Sequence, residues 1–314
     1  MTSPDIAVTS YPVRNLKKSP SSPRTLFSSF MSVVATLCAV AALVPLVAVL
    51  SYVLIQGFSN LSFDLFVKLP PPPLVKGGGF GNAFLGTLVT VGIAAAISIP
   101  FGVLAAIFLA EFAPDTKLPE AEWIDFFTNV LSGVPSIVIG VFAFSVVVLA
   151  TGSFSAVAAG IALSVLMLPT IVRTTAEALE SVPRDYRQAA LGLGATRVQT
   201  TLLIVLPSAI PAILTGVMLA VARAAGETAP VLFTALFSQF WNKGLSLNPL
   251  QISPKQFLTQ GIWDPTATMS MVVFNFATAP YKNQQALAWA GSLVLVALVL
   301  VTNILARFLT RPKS

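Results

Sequence analysis

The sequence has 314 residues, of which 55% are hydrophobic and only 10% charged, with a formal net charge of +6 and a mean hydropathy of +0.85. An average soluble domain is about a quarter charged, so this is a membrane protein, whose unit is the apolar run of about 20 residues that crosses a bilayer as a helix. A single cysteine, Cys38, and the absence of histidine argue against disulfides, zinc or iron–sulfur sites, haem ligation by His and His-based triads, and basic residues scattered beside apolar runs argue against nucleic acid.

Residues 1–25, rich in Ser and Pro and carrying Arg14, Lys17, Lys18 and Arg24, read as a disordered basic arm. Residues 26–56 are almost continuously apolar, too long for a signal-peptide core, and form an uncleaved first span. An external loop at 57–83 holds Pro70 to Pro73 and Gly77 to Gly79, which cannot continue a membrane helix. A core at 84–309 adds five spans, placed at 84–109, 128–150, 154–171, 208–237 and 287–309. An external loop lies near 239–286, and 310–314 form a short tail. On this plan the inner side carries twelve Lys and Arg residues, four of them in the loop from Arg173 to Arg197, against five outside. The positive-inside rule then puts both termini in the cytoplasm. The predicted fold is all-α and integral to the membrane, with about six transmembrane helices.

The loop at 177–207, "EALESVPRDYRQAALGLGATRVQTTLLIVLP", is the most polar stretch after the arm. Ser181 and Pro183 start a short helix, and Gly192 and Gly194 stop it before a second begins near Ala195. Ala189 and Ala190, ringed by Arg184, Arg187 and Gln188, offer a small surface suited to a groove on another protein; the alternative is a solvated loop helix.

In this loop Ala189, Ala190, Gly194, Ile204, Leu206 and Pro207 match, at the right spacing, the EAA…G…I-x-L-P motif of the membrane subunits of bacterial ABC importers, with Gln188 in place of the usual Glu. "GNAFLGTLVTV", "EFAPD", "LSGVPSIVIGVFAF", "ARAAGETAPVLFT" and "DPTATMSMVVFNFA" extend the resemblance, from about residue 80 to the carboxyl end, to PstA-type phosphate importer permeases. The resemblance implies a type I ABC importer permease fold in the bacterial plasma (inner) membrane and a coupling helix near 184–195 docking on an ATPase. The partners it implies are a sister permease of the PstC type, a PstB-type ATPase dimer and an external phosphate-binding protein.

Arg223 and Glu227 stand four residues apart inside an apolar span. Each costs about 2.5–3.5 kcal/mol at the bilayer centre even on lenient scales, and Arg ahead of Glu is the weaker order for an i, i+4 pair. A structural ion pair between helices is one reading. The other is a solvated path in which the guanidinium fork of Arg223 meets oxyanion oxygens and Glu227 accepts the hydrogen bond that hydrogenphosphate can donate and sulfate cannot. Gly226, Thr228 and Pro230 loosen the helix beside them, predicting a kink along the pathway. No stretch matches a P-loop, and no nucleophile sits beside a base. The chain is thus expected to hold no cofactor, with ATP and Mg bound by the partner ATPase. Alternatives are a permease for another oxyanion or small solute and a non-transporting scaffold.

Overall fold

The computed structural model describes residues 23–75, 77–113, 119–247 and 250–309; the predicted arm through residue 22 and the tail 310–314 lie outside them. Five described helices are long and apolar enough to cross a membrane, or six if one bent pair counts as a span.

Helix α1, Pro23–Ser59, contains Pro45. Through Tyr52 it belongs to a unit of its own, and there Phe27, Leu37, Val44 and Leu46 are exposed. The second unit begins at Val53.

In that second unit α2, Gly81–Ile107, continues as a π turn through Phe112. Its buried hydroxyls are satisfied internally, Thr87 and Ser98 donating to the carbonyls of Ala83 and Ala94, as hydrocarbon surroundings require. Helix α3, Pro119–Gly133, begins nine residues before the predicted start of its span at 128. It meets α4, Ser136–Ala143, at 108°, so the span predicted at 128–150 contains a sharp bend. The bend falls at Gly133, Val134 and Pro135, where a residue before proline is pushed out of the helical region.

Helix α5, Ala156–Glu180, is capped by Ser155 accepting from the Ala158 amide. It is the best buried span, with Ala159, Ala162 and Ile171 fully enclosed. Its end at Glu180 overruns the predicted boundary at 171, which moves Arg173 from the loop onto the helix. A three-residue link leads to α6, Arg184–Gly192, closed by Gly194 at φ 88°. Thr196 and Gln199 then form a reciprocal capping box that opens the next span, Arg197–Gly226. This span starts eleven residues before the predicted 208. It passes a π turn at Thr201–Val205 into α7, Leu206–Gly226. The Pro207 ring crowds the carbonyl four residues back, and the wider turn before it makes room for that ring.

The predicted kink beyond Arg223 is a complete break: Glu227 is extended at ψ 131° and α8, Ala229–Thr234, restarts after it. The loop predicted at 239–286 is folded. Strands β1, Leu245–Leu247, and β2, Leu250–Ile252, pair antiparallel with Leu245 opposite Ile252. Helix α9, Met269–Thr278, is too short to span, yet Met269, Met271 and Val272 are fully buried, and the Met269 amide donates to Thr87 Oγ1 at 2.8 Å. Helix α10, Lys282–Leu309, ends the described chain.

Small residues set the helix spacing. A methyl at Gly102 of α2 would lie 2.8 Å from Ile171 Cγ2 of α5. One at Gly216 of α7 would strike the Thr174 side chain of α5, so both seams close only because a hydrogen stands there.

Candidate functional site

Arg223 is in the last turn of α7, where a cation faces the negative end of the helix dipole. Its Nε donates to Glu227 Oε1 at 3.4 Å, the side chains being 62% and 18% exposed. A contact that long and that open is a weak structural bond. Glu227 is fixed through its backbone instead, its amide donating to the Ala224 carbonyl and its carbonyl accepting from Ser270 Oγ at 2.9 Å. Thr228, half-buried, forms the joint, its carbonyl accepting from the Leu232 amide at 3.0 Å.

A cavity of about 80 Å³ opens beside Arg223, and Ser132, Thr170 and Arg173 share its lining. Arg173 Nη2 donates to Asn129 Oδ1 of α3, and Asn129 Nδ2 donates to Asp125 Oδ2 at 3.1 Å. Two guanidinium groups from neighbouring helices thus share one recess with the Ser132 and Thr170 hydroxyls; Ser132 Oγ already donates to the Asn129 carbonyl at 2.7 Å, so the guanidinium groups are the donors suited to an oxyanion. The sequence reading missed Arg173, Asn129, Ser132 and Thr170. The available signal was the helical pattern running past Ile171 through Ala178 and Leu179, both buried, which carries Arg173 along with it.

The residues predicted for the inner loop part into two faces. Arg184, Gln188 and Ala189 are exposed and Ala190 is buried, seated against the body of the protein. Gly194 closes the corner, the Ala195 amide donating to the Ala190 carbonyl at 3.1 Å. Arg187 turns inward, its Nη2 and Nε donating to Glu111 Oε1 and Oε2 at 2.6 and 3.3 Å. Its Nη1 and Nη2 also reach the Val182 and Leu179 carbonyls at 2.6 and 2.8 Å. The exposed surface of α6 is therefore made by Arg184, Asp185, Tyr186, Gln188 and Ala189, followed by Leu193, whose exposure is 90%. Among the described residues, no three His, Cys, Asp or Glu gather as metal ligands.

The model of the binding-protein-dependent transport system inner membrane component family matches residues 98–313. The phosphate transport system permease protein PstA of Yersinia pestis is 38% identical over 82% of this chain and 81% of its own length. Its namesake in Xylella fastidiosa (strain 9a5c) is 39% identical over 81% of this chain and 82% of its own. A chain of the bacterial alginate ABC transporter, solved in complex with alginate pentasaccharide-bound periplasmic protein, superposes with a TM-score of 0.58 at 14% identity, covering 93% of this chain and 98% of that one; this likeness is one of fold. The chain belongs to the family of binding-protein-dependent transport system inner membrane components, among the PstA-type permeases of phosphate transport systems.

Proposed function

We propose that this chain is the membrane permease subunit of an ATP-driven phosphate importer, forming half of the translocation path in the bacterial inner membrane with both termini in the cytoplasm. The observation that carries the reading is the meeting of Arg223 and Arg173 in one recess with Ser132 and Thr170, beside a helix broken at Glu227. Phosphate oxygens suit paired guanidinium forks, and the relatives named for phosphate transport support that cargo. A sister permease of the PstC type completes the path, an external phosphate-binding protein loads it, and a PstB-type ATPase dimer binding ATP and Mg drives it.

In this reading, ATPase closure pushes the outward face of α6 and rocks the spans between inward-open and outward-open states. Cargo meets Arg223 and Arg173 in passing, while Glu227 and Thr228 flank the break. Glu227 accepts the hydrogen bond that hydrogenphosphate donates and repels the fully ionised sulfate. The test is to purify the chain with its co-expressed partners, reconstitute the complex and measure uptake under competition. Phosphate should stimulate ATP hydrolysis and outcompete sulfate and molybdate; hydrolysis that answers to sulfate alone refutes the cargo, and ATPase binding without flux of any oxyanion makes the chain a scaffold.

A further inference from the structure

The Arg187–Glu111 contact differs in kind from three other ion pairs of the chain. Those pairs, Lys68–Asp64, Arg223–Glu227 and Lys243–Asp264, each have a basic side chain about half exposed or more, whereas Arg187 and Glu111 are 21% and 7% exposed. The guanidinium grips the carboxylate through two nitrogens and in the same posture binds the carbonyls of Leu179 and Val182. Charge-assisted, two-point pairs of this kind are the strong and directional ones. Removing either partner leaves a largely buried charge without its counterion.

Three elements meet at this one side chain. Arg187 is on α6; Leu179 and Val182 are the last turn of α5 and the link after it; Glu111 stands in the π turn that ends α2. The chain itself joins α6 to α5 through residues 181–183 and to α7 through the capping box at Thr196. Helix α2 has no such covalent route, because Glu111 and Arg187 are 76 residues apart in sequence. A π turn shifts the helix face it follows, and this one carries Glu111 among the residues that line a cavity of about 820 Å³ beneath α6, together with Arg184, Gln188 and Arg197.

We propose that Arg187 and Glu111 form the strut that passes movement of the docked helix α6 to α2, the two keeping one separation throughout the transport cycle. The inference rests on the import reading above. Both are positioning residues, touching neither cargo nor the outward face of α6. Without the strut α6 still docks and the ATPase still turns over, but α2 no longer follows, so ATP is spent without cargo.

The test uses the whole reconstituted transporter, with the chain in a Cys38→Ser background, and measures phosphate uptake and ATP hydrolysis together. Glu111→Gln removes the charge and Arg187→Lys removes the fork. Each should assemble and hydrolyse ATP while phosphate moved per ATP falls about tenfold or more, the scale on which small misplacements act. The double variant Glu111→Cys with Arg187→Cys should share that loss, regain most of the parent ratio when a short bis-methanethiosulfonate joins the two thiols, and lose it again on reduction. A parent-like ratio in both single variants overturns the strut, as does a bridged pair no better than its reduced form. If Glu111→Gln fails to assemble, Arg187→Lys, which keeps the charge, decides by the same ratio. A parent complex stimulated by another solute and not by phosphate refutes the cargo alone, and the ratio measured with that solute then judges the strut.

Discussion

Replacing Gly140 by alanine tests whether the two short helices behind Glu227 act as one wedge. A methyl at this position of α4 would lie 2.7 Å from Pro230 Cα and 3.3 Å from both the Ala229 carbonyl oxygen and Phe233 Cδ2. Carbon atoms rest about 3.5–4.0 Å apart, so α4 and α8 must part by about 1 Å. Neither contact with Pro230 nor that with Ala229 is a flexible side-chain end, so the backbone itself has to give. Overpacking of this sort costs about 1–3 kcal/mol. Pro230 follows Glu227 by three residues, so the displacement reaches the carboxylate, and a shift of about 1 Å at a positioned group can cost about 10²-fold. The assay pairs thermal melting of the purified complex with initial-rate phosphate uptake in proteoliposomes. Gly140→Ala should melt lower and import at least about tenfold more slowly. Gly92→Ala, where a methyl meets nothing within 4 Å, should match the parent or melt slightly higher, since alanine favours a helix interior over glycine. Parent-like melting and uptake in Gly140→Ala would refute the wedge.

Three other outcomes follow from the geometry. Arg223→Lys and Arg173→Lys each keep the charge and lose the fork, so uptake should fall about ten- to a hundredfold, the worth of one hydrogen bond to a charged group; parent-like rates in both mean that cargo does not meet this recess. Glu227→Gln should import phosphate but lose discrimination against sulfate in a competition assay, and unchanged discrimination removes the selectivity role of the carboxylate. Leu193→Asp places a charge on the most exposed apolar side chain of the α6 corner and should abolish co-purification of the ATPase without altering the melting of the permease pair; retained ATPase binding shows that docking uses another surface.

The spans were legible in the sequence because each is a local fact: about 20 apolar residues have no other stable home than a bilayer or a deep core. The short helix at 184–192 was legible for a similar reason, since Pro183 and Gly194 punctuate the backbone wherever they stand. Arg223 and Glu227 were conspicuous as charges in an apolar run. Tertiary contact decided the rest. Arg173 has the composition of a loop residue and becomes a cavity residue only because α5 runs on to Glu180 and Asn129 of α3 meets it. Arg187 looks outward on a helical wheel drawn without neighbours, and it turns inward because Glu111 waits there. Helix α9 gave no span signal at ten residues, and its burial depends on Thr87 and on an apolar cluster that includes Phe80 and Leu287.

If cargo passes Arg223 as the import reading proposes, the interruption after Gly226 bears on how briefly it dwells there. Where α7 stops, the Ala224 carbonyl accepts from the Glu227 amide, and the negative end of the helix dipole falls in the same last turn as Arg223. Two arginines alone in hydrocarbon would grip a doubly charged anion too firmly to let it leave, and conduction needs a site that is easily vacated. On that reading, a carboxylate and a helix end temper the guanidinium, and the break turns a trap into a stepping stone.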